Sequence, residues 1–285
     1  MPSIAGIVSR KPLNQRSAAI NQVNNSLHQE NSLFNFRLFH PKGEQSSYVQ
    51  ALWSASVSQE SLGDIKRWLQ GDACSGILFN LGSTIYLDDI ECSSKVILLP
   101  VSKEAHSITL PPNSQLAGIR FHPGVGTAIL ENDSPRLNEL QTIVEQLMNT
   151  PEHYARMSIM YKWIKKIIHF PDVIPASLLR SLNVIPQAHK IGAIANDVAL
   201  SQRQLERQYQ KWVGMPPKQY QRIIRVKNTI NALKNNPNTD LVELAIENGF
   251  TDQAHMTREF KQIAKITPKR FSNLIINRGN LTSSA

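Results

Sequence analysis

The chain holds 285 residues with a formal charge of +9, enough length for two domains of ordinary size. Its two cysteines, Cys74 and Cys92, are too few for a disulfide framework or a four-ligand zinc site. No segment reaches the ~18 apolar residues of a membrane-spanning helix, and the run from Met1 to Val8 is too short for a signal peptide, so a cytoplasmic chain with no membrane partner is expected. The charge is unevenly spread. Residues 186–285 carry 15 Lys and Arg against 7 Asp and Glu, a net of +8, which leaves +1 for residues 1–185. Positive charge concentrated at one end suits a module that faces phosphate.

Residues 1–132 read as a β-rich regulatory or sensor domain. Phe34, Phe36 and Leu38 alternate with Asn35 and Arg37, and Leu52 to Val57 alternates loosely. Ile77 to Leu81 runs into Gly82-Ser83 and is followed by Thr84 to Leu87. Val96 to Leu99 ends at Pro100, and Ile119 to Phe121 ends at His122-Pro123-Gly124. Short apolar runs punctuated by Gly, Pro, Asn and Asp predict an antiparallel sandwich or cupin-like barrel. Asp64 to Leu69 fits either a short helix or an edge element. Asp88-Asp89 with Glu91 reads as an exposed acidic turn.

Residues 133–174 change period. Leu137, Leu140, Ile143, Val144 and Leu147 fall at helical spacing, with Asp133 or Ser134 as cap and Pro135 in the first turn. A second helix covers Glu152 to about His169, with Met157, Met160, Tyr161, Ile164 and Ile168 on one side, closed by Pro171 and Pro175. These helices serve either as a dimer seam or as packing for their own chain.

Residues 175–285 are helical throughout, apart from a frayed tail after Arg278, and contain a repeat. The first copy has Ile194-Ala195, a turn, then Ser201-Gln202-Arg203-Gln204-Leu205-Glu206-Arg207-Gln208-Tyr209. The second has Leu244-Ala245, then Asn248-Gly249-Phe250-Thr251, then Asp252 to Phe260. Counted from Ser201 and Asp252, an apolar residue lies four on (Leu205, Met256), an Arg six on (Arg207, Arg258) and an aromatic eight on (Tyr209, Phe260). A long connecting helix over Pro217 to Lys234 joins the copies, and Asn235 to Asn238 ends it. Two helix-turn-helix units in register point to double-stranded DNA.

The residue types fit that chemistry. A recognition helix enters the major groove N-terminus first, so its first turn carries the readout. Ser201 with Gln204 makes a capping box, and Asp252 caps the second helix. Leu205 and Met256 then face inward, Ala195 and Ala245 permit a close helix crossing, and Gly249 supplies a positive φ in the turn. Tyr209 and Phe260 belong to the core. Gln202, Arg203, Glu206 and Arg207 are left outward on the first helix. Gln253, Ala254, His255, Thr257 and Arg258 occupy the same region of the second. Arg reads guanine and Gln reads adenine in bidentate fashion, although Arg207 and Arg258 suit phosphate contacts or ion pairs equally well. Lys211, Lys218, Arg222, Arg225, Lys261 and Lys269 are candidates for phosphate.

With these residues in view, the region from about 185 to 273 resembles the paired helix-turn-helix domain of the AraC/XylS family of bacterial transcription regulators. The residues that carry the likeness are Leu205-Glu206-Arg207, Tyr209, Gly214, Pro217, Tyr220 and Arg225, then Ala245, Gly249-Phe250, Asp252-Gln253, Arg258, Phe260-Lys261 and Thr267-Pro268. The resemblance implies two recognition helices meeting adjacent major-groove segments. It places the base-reading sites on Arg203 and Arg207, then on Gln253, Ala254, His255, Thr257 and Arg258. It also implies an activator that recruits RNA polymerase, gated by a small-molecule effector or by a homodimer contact. Two departures stand out. Lys265 takes a position where the family usually has Gly, and Ala254 cannot hydrogen-bond a base edge, which assigns most discrimination to the first helix. The stretch Leu116 to Gly124 is similar to an N-terminal domain found on some members.

Nothing in the first half suggests chemistry. His40, His106 and His122 lack ligand spacing within a strand, so neither metal nor cofactor is expected, and the effector-binding residues cannot be assigned. Arg120 suits an acidic effector or a bracing role. The alternative is an enzyme in the β domain, targeted to DNA by the helical one. DNA-repair methyltransferases that share this helical module need a reactive Cys cluster, which Cys74 and Cys92 do not provide.

Overall fold

The computed structural model describes residues 33–126, 134–167, 174–185 and 191–282. The run from Met1 to Val8, Asp133, and the expected helix end at Ile168, His169 and Pro171 lie outside the described residues. Among the described residues, no helix is long and apolar enough to cross a membrane.

The first region is an antiparallel sandwich. Its strands are β1 (Phe34–Phe39), β2 (Val49–Val57), β3 (Ile65–Leu69), β4 (Gly76–Asn80), β5 (Ile85–Leu87), β6 (Ile90–Cys92), β7 (Val96–Leu99), β8 (His106–Leu110) and β9 (Gln115–Phe121). One sheet has the order β1-β2-β9-β4-β7 and the other β3-β8-β5-β6. No strand pair joins the two sheets among the described residues, so the cupin-like closed barrel gives way to a sandwich. The undecided stretch from Asp64 to Leu69 is an edge strand, paired with β8 from Ile65↔Leu110 to Leu69↔His106. The acidic pair is a hairpin turn. Leu87 faces Ile90 across it, and Asp88 and Asp89 both adopt positive φ, as a two-residue hairpin loop requires.

Every residue of β4 is buried, because both faces of the larger sheet are covered. That is why Ile77-Leu78-Phe79 reads as a continuous apolar run rather than an alternating one. On one face, Ala55, Leu78 and Leu116 meet Ile65, Ile85, Ile108 and Leu110 of the smaller sheet. On the other, Leu52, Ile77, Phe79 and Phe121 meet α1 (Ser134–Met148) and α2 (His153–Ile167). Leu140, Ile143, Val144, Leu147, Met157, Met160 and Ile164, the stripe considered for a dimer seam, are buried against their own sheet. Arg156 is only 1% exposed. Its Nε donates to the carbonyls of Leu147 and Thr150, and its Nη2 to Gln115 Oε1, so it caps the end of α1 and fastens it to β9.

The second region is helical: α3 (Ala176–Val184), α4 (Ile191–Asp197), α5 (Gln202–Gln208), α6 (Pro217–Asn235), α7 (Leu241–Glu247), α8 (Gln253–Ala264) and α9 (Pro268–Thr282). The connecting helix expected between the repeats is α6, started by Pro217 at its first position. The tail expected to fray after Arg278 continues as helix through Thr282. Tyr209, Tyr220, Ile223, Val226, Leu244, Met256 and Phe260 form one core, and Ala73 from the sandwich is buried in it.

A Cβ on Gly76 would fall well inside van der Waals contact of the Ile119 carbonyl oxygen on β9. Gly76→Ala is therefore expected to cost about 1–3 kcal/mol of stability, measured by urea denaturation. An unchanged midpoint would show that the two strands can part without penalty.

Candidate nucleic-acid interface

The two repeat copies fold alike from local rules. In the first turn, Leu200 N–H donates to the Ala195 carbonyl (2.9 Å) and Ala199 N–H to Asn196 (3.1 Å). In the second, Phe250 N–H donates to Ala245 (2.9 Å) and Gly249 N–H to Ile246 (3.0 Å). The expected positive φ occurs at Gly249 (73°), and its counterpart is Ala199 (55°), which no residue letter announced. Ser201 and Gln204 close the capping box on α5, with Ser201 N–H donating to Gln204 Oε1 at 2.8 Å. Asp252 Oδ1 accepts from His255 N–H at 2.7 Å on α8. Leu205, Met256, Ala195 and Ala245 face inward, and Tyr209 and Phe260 are core residues.

The outward face of α5 exposes Gln202, Arg203, Glu206 and Arg207, with Gln202 Nε2 donating to Glu206 Oε1 at 3.0 Å. On α8, Gln253, Ala254 and Arg258 are exposed, whereas His255 and Thr257 are half-buried. Both ring nitrogens of His255 have partners within the chain: Nε2 lies 3.3 Å from Glu259 Oε1 and Nδ1 lies 3.3 Å from Thr251 Oγ1. Its edge also stands against the Phe250 ring, centroids 5.6 Å apart. Lys211, Lys218, Lys261 and Lys269 are exposed.

Arg222 and Arg225, phosphate candidates from the sequence, have partners within the chain. Arg222 Nε donates to Glu259 Oε1 (2.7 Å) and Nη2 to Gln262 Oε1 (2.7 Å). Arg225 Nη2 lies 3.5 Å from Glu259 Oε2, its Nη1 donates to the Gly249 carbonyl (3.1 Å), and its guanidinium sits 5.3 Å from the Phe250 ring centroid. Both arginines brace α6 against α8. Their partner Glu259, 7% exposed, was missed from the sequence. Its signal was available: three residues after Met256, it falls on the inward side of the helix, where an acid requires a cationic partner.

The recognition helices end alike as well. A single wider π-helical turn, Tyr209–Val213, leads from α5 to Gly214 at φ 70°, and α8 ends at Lys265 at φ 59°. Lys265 thus takes the left-handed conformation that Gly adopts in the first copy, at a cost of about 1–2 kcal/mol for a residue with a Cβ.

Behind this interface lies a cavity of about 450 Å³ between the two sheets. Apolar side chains such as Phe36, Trp53, Ile108 and Leu116 line its walls, while Arg120, Asp72 and Lys227 of α6 stand at one end. Arg120 is paired with Asp72, its Nε donating to Asp72 Oδ2 at 3.1 Å and its Nη2 to the Gln70 carbonyl at 3.3 Å. Burial alone would push the Asp72 carboxyl up. The charge and hydrogen bonds of Arg120 outweigh that and hold it below the usual carboxylate range. The neighbouring Cys74 thiol is pushed up to about 12 by burial and by the Asp72 carboxylate, which makes it a poor nucleophile at neutral pH. The three histidines stand apart: His40 Nδ1 is 2.8 Å from the Gln50 carbonyl, His106 pairs with Asp88, and His122 begins the turn after β9. Among the described residues, no group of three or more His, Cys, Asp or Glu is placed to hold a metal ion.

Replacing Glu259 by Gln leaves two guanidinium groups short of their counter-charge. Glu259→Gln is expected to lower unfolding stability by about 1–3 kcal/mol, whereas Glu206→Gln on the open face of α5 should leave it within about 0.5 kcal/mol. Urea denaturation of the two variants compares them directly, and equal, negligible shifts would remove Glu259 from its organising role.

Comparison with known proteins places this geometry. A family model described as a helix-turn-helix domain matches residues 194–273. No curated protein matches the chain. Among solved structures, a transcriptional regulator with an AraC-type DNA-binding domain from Chromobacterium violaceum is 21% identical, with 35% of this chain and 91% of that chain covered at a TM-score of 0.33. ToxT from Vibrio cholerae is 13% identical, with 84% of this chain and 98% of that chain covered at a TM-score of 0.44. ToxT of the same organism with an unsaturated fatty acid bound is 12% identical, with 74% and 95% covered at a TM-score of 0.40. Residues 194–273 thus belong to a helix-turn-helix domain, and their likeness to the AraC-type regulators is one of similarity.

Proposed function

We propose that this chain is a sequence-specific transcription activator that reads two adjacent major-groove segments and is gated by a small molecule held in the sandwich. The observation that carries the reading is the pair of capped helices, α5 and α8, presented on the part of the chain that holds nearly all the excess positive charge. In this reading residues 1–132 are the sensor, 133–174 the helical linker and 175–285 the DNA-binding domain.

Arg203 and Arg207 read bases from α5, with Gln202 and Glu206 beside them. Gln253 and Arg258 do so from α8, where Ala254 offers only apolar contact, as to a thymine methyl. Thr257 is the half-buried neighbour of Arg258. His255 and Arg225 act chiefly by holding α8 in place. Lys211, Lys218, Lys261 and Lys269 contact phosphate and set register. RNA polymerase is the partner recruited by the bound protein. The effector is a largely apolar molecule with an anionic end, matched to the apolar walls and to Arg120 and Lys227.

The DNA sequence enriched by the wild-type chain from a random pool provides the test. Arg207→Ala or Arg258→Ala is expected to weaken binding to that sequence by about 1–3 kcal/mol while leaving random DNA nearly unaffected. Mobility shifts with equal losses on both would remove base reading from these residues. Lys211→Ala or Lys261→Ala should instead weaken binding to every sequence and reduce the slope of log K against log salt by about one. A slope identical to wild type would exclude phosphate contact at that lysine.

A further inference from the structure

Two loops of the sandwich connect the charged end of the cavity to the ends of both recognition helices. Residues 70–74 leave β3, and residues 100–105 lead from β7 to β8. They are laced together: Ala73 N–H donates to the Ser102 carbonyl (2.8 Å), and Ser102 N–H donates to the Cys74 carbonyl (2.9 Å). Ser102 Oγ lies 3.1 Å from the carbonyl oxygens of both Gln70 and Glu104. Their approach is so close that a Cβ on Gly71 would sit 2.5 to 2.7 Å from the Glu104 backbone. Neither loop can therefore shift without the other.

At the cavity side, Arg120 grips the first loop through the Asp72 carboxylate and the Gln70 carbonyl. At the helical side, the second loop reaches both recognition units. Val101 packs against the C-terminal core, and its Cγ2 would lie 3.7 Å from a Cβ on Gly214, the residue that ends the first unit. Ala105 N–H donates to the Ile263 carbonyl in the last turn of α8 (2.7 Å), and Glu104 pairs with Lys265, the left-handed residue that ends it. Helix-end carbonyls lack intrahelical partners, so the donation from Ala105 joins the sandwich backbone directly to the recognition helix.

We propose that residues 70–74 and 100–105 form a coupler that transmits the occupancy of the cavity to the recognition helices, with Lys265 and Glu104 as its latch. This rests on the effector-gated reading above and specifies how the gate works. An anionic group that takes Arg120 away from Asp72 releases the first loop. Through Ser102 and Gly71 the second loop follows, and the latch at the end of α8 loosens. Lys265 is then a positioning residue. It touches no DNA, yet it decides whether the second helix responds to the cavity. It also accounts for a lysine where the first copy has Gly214: only a side chain able to reach Glu104 completes the latch.

The test is a double-mutant cycle on full-length protein, with the DNA enriched by the wild type as probe. Arg120→Gln, which frees the first loop without any ligand, is expected to change the dissociation constant at least fivefold. In a Lys265→Gly background, which keeps the helix end but removes the latch, the same change should be under twofold. The charge-reversed pair Glu104→Lys with Lys265→Glu should restore the fivefold response, which a merely structural contact would not. Equal factors in both backgrounds, or no response to Arg120→Gln in either, would overturn the coupler. If circular dichroism shows that Arg120→Gln does not fold, Ser102→Ala replaces it in the cycle under the same criteria. A wild type that enriches no DNA at all would instead sink the regulator reading itself, so the two failures are distinct.

Discussion

The carboxylate of Glu259 is the point on which the geometry of the second helix-turn-helix unit depends. A buried acid on the inner side of a recognition helix is tolerated only with cations around it. Arg222 and Arg225, one turn apart on the connecting helix, supply them. Such a network adds little net stability, because desolvation offsets most of the attraction. Its effect is on geometry. Two guanidinium groups, with Gln262 and the Gly249 carbonyl as further partners, accept a single placement of α8 on α6. Arg225 therefore also fixes the turn that precedes α8, through the Gly249 carbonyl and the Phe250 ring. The first copy has no equivalent. Gln208 stands at the corresponding position of α5 and accepts only a neutral bond from Ser177 on α3, at 3.2 Å.

That difference separates the two halves of the repeat more deeply than their outward residues do. The first recognition helix is seven residues long and too short to be stable alone. It is held by its capping box and by Tyr209, whose ring packs at a tilt against Tyr220 and whose hydroxyl accepts from Ser181, all contacts near its own end of the core. The second has twelve residues, is clamped by charge along its back, and ends against the sandwich. The first unit meets the β domain through apolar packing of Val101 beside Gly214, whereas the second is tied to it by the Ala105 hydrogen bond and the Glu104–Lys265 pair.

What could be seen in the sequence follows the same division between local and distant causes. Ser201, Gln204, Asp252 and Gly249 act within one turn of their own position, and their letters announced the caps and the second turn. Buried strands such as Ile77 to Phe79 were equally legible as apolar runs. Ala199 adopts left-handed backbone without Gly, so no letter marked it, whereas Lys265 stood out only through the family resemblance. Positive charge alone does not say whether an arginine meets phosphate or a buried acid, so the pairing of Arg222 and Arg225 with Glu259 was not legible. Sandwich and barrel stayed open as alternatives because strand alternation specifies a sheet, not how its edges meet. The loop contacts at Gly71, Ser102 and Glu104 join loops far apart in the chain and leave no periodic trace.

The small energies at the junction suit a switch better than a fixed joint. An exposed ion pair such as Glu104–Lys265, with each side chain more than a third accessible, contributes only about 0–1 kcal/mol. Holding Lys265 in left-handed backbone costs about as much or slightly more, so the latch sits close to balance. A ligand shifts a two-state element only by the difference in its affinity for the two states. An element with a gap of many kcal/mol would ignore a molecule whose head merely exchanges one partner of Arg120 for another. A latch whose gain and strain nearly cancel leaves that exchange, worth about 1–3 kcal/mol in typical coupled sites, large enough to decide the outcome.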